Sequence, residues 1–183
     1  MKKTFIVFFA AIIFSCNTAE KPEATESMSK PSSEAITNMS GYTPIYSASF
    51  EMGDPKQAEI VLELWRAWEN GDLTPTKTHF ADSIIFYGAD GSVVGGSNLD
   101  SSFNMMQEYR NMYSSVQTEV YTIFPVKSTD KNENWVCAWG KEIHTDKSGK
   151  TDSMYLQETW RFNKDGKVNL LYQFMSPAAK ASQ

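Results

Sequence analysis

TDSMYLQETWRFNKDGKVNLLYQFM, residues Thr151–Met175, sorts its side chains into two sets by alternation. Met154, Leu156, Glu158, Trp160 and Phe162 fall on one side, and Tyr155, Gln157, Thr159 and Arg161 on the other. Strand side chains alternate between faces, so a period of two with one apolar side marks extended chain over a core. NKDGK at Asn163–Lys167 is turn chemistry, and Val168–Met175 resumes the alternation. Val116–Val126 and Asn134–Thr145 read as two further strands, with DKSGK at Asp146–Lys150 as the next turn. The last three strands therefore form an antiparallel meander.

Ahead of the strands the period is that of a helix. Asp54-Pro55 opens one with a capping carboxylate and a proline at its first position, and Gly71 closes it. Ala58, Ile60, Val61, Leu62, Leu64, Trp65, Ala67 and Trp68 cover an arc of about 220°, leaving Lys56, Glu59, Glu63 and Arg66 a narrow polar stripe. Such a helix is enclosed by protein on most sides, as in the hollow of a curved sheet. Thr74-Pro75 starts a short helix to about Phe80, SIIFY at Ser83–Tyr87 is a strand, and GADGSVVGG is a turn-rich connection with hairpin character. Ser97 or Asn98 caps a third helix with Leu99, Phe103, Met106 and Tyr113 on one face. Helices first and long strands last make the class α+β.

WRAWENGDLTPTKTHFADSIIFYG, followed much later by ETWRFNKDGKVNLLYQF, resembles the nuclear transport factor 2-like superfamily in its SnoaL-like branch, over about Pro55 to Ser176. The resemblance implies a cone-shaped curved antiparallel sheet wrapped around the N-terminal helices, a cystatin-like α+β roll with a mostly apolar pocket. Relatives include isomerases, cyclases, dehydratases and epoxide hydrolases, together with binding and dimerising modules without chemistry, so fold alone does not give function. In the ketosteroid isomerase branch a tyrosine stands seven residues before the helix-ending glycine; here that position is Leu64. The branch's base aspartate follows the FADD phenylalanine by eight residues; here that position is Gly88. Its acid precedes the RF phenylalanine by four; here that is Glu158. Without the base and the tyrosine, the isomerase mechanism is lost.

Glu158 is the candidate acid or base. It lies between Leu156 and Trp160 on the apolar face of its strand, a setting that raises a carboxyl pKa. Under the family fold Leu64, Trp68, Phe86, Leu156, Trp160, Leu171, Gln173 and Met175 would line the pocket, with Gln173 orienting a ligand rather than reacting. His144, near a strand end, is expected to be solvated, and His79 to pack or cap a helix end. Two scattered histidines make no zinc motif. DKNENW at Asp130 begins like a calcium loop, but Trp135 and Lys141 occupy the positions that need glycine and glutamate. No cofactor is expected.

The front of the chain speaks to location. Lys2 and Lys3 precede FIVFFAAIIF at Phe5–Phe14, an apolar run of signal-peptide length and too short for a span of roughly 20 residues. Here the chain resembles bacterial lipoprotein precursors: Ile13, Ser15 and Cys16 match their cleavage box, while Phe14 stands where a small residue is usual. The resemblance implies cleavage before Cys16 and acylation of that cysteine, palmitate-type chains holding the protein to the membrane. Residues 1–15 are then a signal peptide, and 16–50 are the acylated cysteine and a Ser-, Glu- and Pro-rich disordered tether, spanning about 30 Å as a coil. Residues 51–178 are the domain and 179–183 a tail. The chain carries 17 basic against 22 acidic residues. Loss of Lys2 and Lys3 leaves 15 against 22, which argues against nucleic acid as a partner. Cys137 is then the only other cysteine and reads as a small buried hydrophobe.

Three functional readings follow. The first is a lipid-anchored cell-envelope protein binding a small apolar ligand without catalysis. The second is a SnoaL-like enzyme of isomerase, cyclase or dehydratase type using Glu158. The third is an interaction module forming a homodimer through its outer sheet face.

Overall fold

The structure, a computed structural model, describes residues 41–178. The expected signal segment, Cys16, tether residues 17–40 and the tail lie outside the described residues. The order is β1 (Phe50–Met52), α1 (Pro55–Asn70), a 3-10 helix (Thr74–His79), β2 (Phe80–Tyr87), β3 (Val93–Gly96), α2 (Leu99–Arg110), β4 (Tyr113–Ser128), β5 (Glu133–Asp146), β6 (Thr151–Phe162) and β7 (Val168–Pro177). No helix among the described residues is long and apolar enough to cross a membrane.

All seven strands belong to one sheet in the order β1-β4-β5-β6-β7-β2-β3. It is curved and unclosed, with α1 in its hollow: an α+β cone. The sequence reading expected an antiparallel sheet, but the sheet is mixed, because β2 runs parallel to β7. β2 and β7 are joined through α2 and four strands rather than by a hairpin, so nothing forces them antiparallel. The GADGSVVGG connection is a true hairpin, β2–β3, in which Gly95 (φ +123°) passes so close to the Ile84 carbonyl that no Cβ would fit.

α1 begins with Asp54 accepting from the Lys56 N–H and ends at Gly71 in the left-handed region, whose N–H returns to the Ala67 and Trp68 carbonyls. Val61, Leu64, Trp65 and Ala67 are buried, while Lys56, Glu59, Glu63 and Arg66 are exposed. The core joins this face to Phe80, Ile84, Phe103, Val136, Ala138, Trp160, Phe162, Val168 and Leu171. Close approach needs small residues on the sheet. At Gly140 an added Cβ would stand 3.2 Å from the Trp65 ring and 2.7 Å from the Glu119 carbonyl oxygen.

Two local expectations are corrected, and the less polar end of the expected tether, GYTPIYSASF at residues 41–50, is described. Tyr113 is not on α2, which ends at Arg110, but opens β4. The end of the expected tether is ordered on the domain. Phe50 begins a strand paired with β4, Ser47 donates to Asp130, and Tyr46 packs edge-on against Trp135. Cys137 is half-buried and not in the core; its strand partners are Phe124 and Thr159, and Val136 and Ala138 take the inward positions beside it.

Candidate functional site

Paired residues of neighbouring strands share a face, so register shows what Glu158 meets. Ala138, Glu158 and Gln173 form one inward row, and Gly140, Leu156 and Met175 the next. Glu142, Met154 and Pro177 form the row beyond. Glu158 is 4% exposed. Its Oε2 accepts the Trp65 indole N–H at 2.6 Å and the Trp160 indole N–H at 3.0 Å, and its Oε1 accepts from Gln173 Nε2 at 2.8 Å. Among the described residues no cation is bonded to it. Burial pushes its pKa up, the three donors pull against that shift, and the nearby Glu142 charge adds to it. Each hydrogen bond to a charged group contributes about 1.5–3 kcal/mol, which offsets the several kcal/mol lost on burying a carboxylate.

A second carboxylate is built the same way, and the sequence reading did not single it out. Glu142, 7% exposed, receives the Trp68 indole N–H on Oε2 at 2.9 Å. His144 Nδ1 lies 3.3 Å from its Oε1, close enough to pair by distance but turned off the line of a hydrogen bond. Burial raises the Glu142 pKa, opposed by Trp68, His144 and Arg110. The signal was present in the parity of β5: Val136, Ala138, Gly140, Glu142 and His144 share the side that faces α1. His144 was expected in solvent. Its side chain is only 11% exposed, because the Tyr113 ring packs against it, tilted by 55°, with ring centroids 4.6 Å apart. His79 instead pairs with Glu63 at the surface, 2.9 Å away.

The eight expected lining residues divide. Leu64, Trp160 and Leu171 belong to the core cluster, and Trp68 and Phe86 pack against it. Leu156 is buried. Gln173 is half-buried and Met175 is 40% exposed, so the uncovered part of the inner face starts at Gln173 and runs along Met175 toward the half-buried Met154, with Leu156 and Glu142 buried beside it. Leu64 donates nothing, and Gly88 sits in the turn after β2. Among the described residues no three His, Cys, Asp or Glu side chains group as metal ligands.

The opposite sheet face is aromatic. Trp139, Gln157 and Phe174 are cross-strand neighbours and, with Tyr121 and Tyr155, border an open groove of about 330 Å³. Trp139 is 38% exposed and Phe174 58%. The adjoining row is Phe124, Cys137, Thr159 and Tyr172, without charge. Charged pairs stand at the margins: Arg161 with Glu133, and Lys141 with Glu119.

Glu158 keeps its proton to higher pH folded than unfolded. From the unfolded value of about 4.3 upward, the native state holds the extra proton, so stability falls as pH rises through that window. In urea unfolding, as pH rises from about 4, wild type should lose stability relative to Glu158→Gln, at up to about 1.4 kcal/mol per pH unit while the extra proton is held. Parallel pH profiles for the two would contradict the assignment.

No protein-family model matches the chain, and no curated protein matches it. Solved structures do. AclR of Streptomyces galilaeus, assigned as a hydroxylase, superposes with a TM-score of 0.53 at 21% identity, over 68% of this chain and 77% of its own. A protein of Jannaschia sp. CCS1 assigned as a SnoaL-like polyketide cyclase gives 0.55 at 11% identity, over 67% and 87%. A nuclear transport factor 2-like protein of unknown function from Burkholderia pseudomallei K96243 gives 0.53 at 14%, over 66% and 90%. Identities this low speak for architecture alone: the described domain has the nuclear transport factor 2-like cone fold.

Proposed function

We propose that this chain is a lipid-anchored protein of the bacterial cell envelope whose domain binds a small apolar molecule at the open end of the cone, without catalysis. The observation that carries the reading is the saturation of Glu158. Both of its oxygens are engaged by protein donors, from Trp65, Trp160 and Gln173, so the one inward acid that the fold family would use is committed to holding structure. Leu64 and Gly88 provide neither donor nor base. Binding is supported by the uncovered strip beside it, where Gln173 offers a polar contact and Met154 and Met175 offer adaptable apolar ones. The anchor is supported by Ile13, Ser15 and Cys16 after the apolar run. The polyketide-cyclase assignment of one structural neighbour supports a small organic molecule as the ligand class.

Intact and native mass spectrometry of the protein purified from bacterial membranes tests both halves. The expected result is a chain starting at Cys16, heavier by its acyl groups, carrying a non-covalent apolar molecule. An unacylated chain would overturn the anchor. Ligand conversion that Glu158→Gln abolishes would overturn the non-catalytic reading.

A second reading, compatible with the first, is favoured by the outer face. Tyr121, Trp139, Tyr155 and Phe174 are each roughly half-exposed, and at 150–250 Å² per aromatic side chain they present about 400 Å² of apolar surface. A stable interface needs about 800 Å² per partner, with an apolar centre and a charged rim; these rings supply about half that area as the centre, and the Arg161–Glu133 and Lys141–Glu119 pairs stand at the margins. We propose that two copies pair through this face. Sedimentation should show a dimer that Trp139→Glu converts to monomer; a wild-type monomer at high concentration would contradict it.

A further inference from the structure

The Glu142–His144 pair is used by neither reading, yet it is a built arrangement. Trp68 fixes one oxygen of Glu142, and the other faces His144 Nδ1. Tyr113 packs its ring against the imidazole at a tilt of 55°, Tyr109 meets Tyr113 edge-on, and Trp68 stacks on Tyr109. Among the described residues Nδ1 is buried without an aligned partner, whereas Nε2 is neither buried away nor bonded to any of them. A small turn of the ring completes the Nδ1–H to Glu142 bond; loosely aligned polar pairs of this kind tighten when a ligand arrives.

The tautomer then sets what the ligand must bring. With Nδ1–H donated to Glu142, Nε2 carries the lone pair and can only accept. The other charges facing the pair do not favour an anionic head. Arg110 on α2 donates to the carbonyls of Trp68, Glu69 and Tyr113, closing the C-terminal end of α1. Glu69 on α1 accepts the Thr118 N–H. Asp152 on β6 lies beside His144 and is paired loosely with Lys150, and Asp146 on β5 accepts from Ser148 and Lys150 in the turn. Carboxylates outnumber free cations here.

We propose that Glu142 positions His144 to accept a hydrogen bond from a neutral hydroxyl at one end of the apolar ligand. The ligand class is an elongated apolar alcohol or phenol. Its length follows from register: Ala138, opposite Glu158, and His144 are six residues apart on β5, about 20 Å at 3.3–3.4 Å per residue. Its body would lie along Met154, Leu156 and Met175, with Gln173 at the far end. The inference rests on the proposed binding function.

The test titrates the full-length protein with para-nonylphenol and with its methyl ether, which lacks the donor, following tryptophan fluorescence. Wild type should bind the phenol about tenfold more tightly than the ether, the scale of one hydrogen bond. His144→Phe, which keeps an aromatic ring packed against Tyr113, should bring the ratio to about one by weakening only the phenol. Should that variant not fold, Glu142→Gln serves in its place, with the ratio falling several-fold and the ether unaffected. A ratio that stays tenfold in the variants, or is already one in wild type, would overturn the inference while leaving ligand binding intact. Binding of neither probe would overturn the binding function itself.

Discussion

Two indole N–H groups, three residues apart on α1, end on carboxylates of two different strands: Trp65 on Glu158 of β6 and Trp68 on Glu142 of β5. Positions three apart on a helix lie on one face, so a single helical stripe reaches both. Each partner makes the other tolerable. A buried indole N–H without an acceptor and a buried carboxylate without donors are both costly, and here each answers the other. Apolar contact would hold α1 in the sheet's hollow at many rotations; these two bonds admit one. Gly140 leaves the space that Trp65 occupies, and Arg110 closes the far end of the helix.

That arrangement divides the inner face into a closed part and an open part. Below Glu158 the side chains pack as core. Beyond it α1 still reaches β5 through Trp68 and Glu142, and the positions left at the surface of the hollow are Gln173 and Met175 on β7 and Met154 on β6. The outer face follows a different rule. An exposed sheet face is ordinarily polar, yet the central rows here are aromatic or neutral, with charge pushed to the edges. One side of the sheet is organised around buried acids and the other around uncovered rings.

Much of this was legible in the chain. Alternation placed Glu158 among apolar neighbours, the Asp54-Pro55 and Gly71 signals bounded α1, and the turn sequences marked the meander. Local pattern does not report which strand lies beside which. The parallel pairing of β2 with β7 is a long-range contact that no turn between them announces, and Phe50–Met52 is too short to show a period. Glu142 and His144 were missed for a related reason. Trp135 and Trp139 are the conspicuous residues of β5, but the inward side belongs to the small ones, because α1 needs room. His144 looked solvated for want of Tyr113, which the helical reading had assigned to α2.

Hydrogen exchange at the indole N–H groups, read from the five tryptophan signals of the isotopically labelled protein, tests the helix-to-sheet clasp most directly. Trp65, Trp68 and Trp160 should exchange far more slowly than the exposed Trp139, and Glu158→Gln should speed Trp65 and Trp160 while leaving Trp68 slow. Trp65 exchanging as fast as Trp139 in the wild-type protein would contradict the clasp and the architecture argued from it.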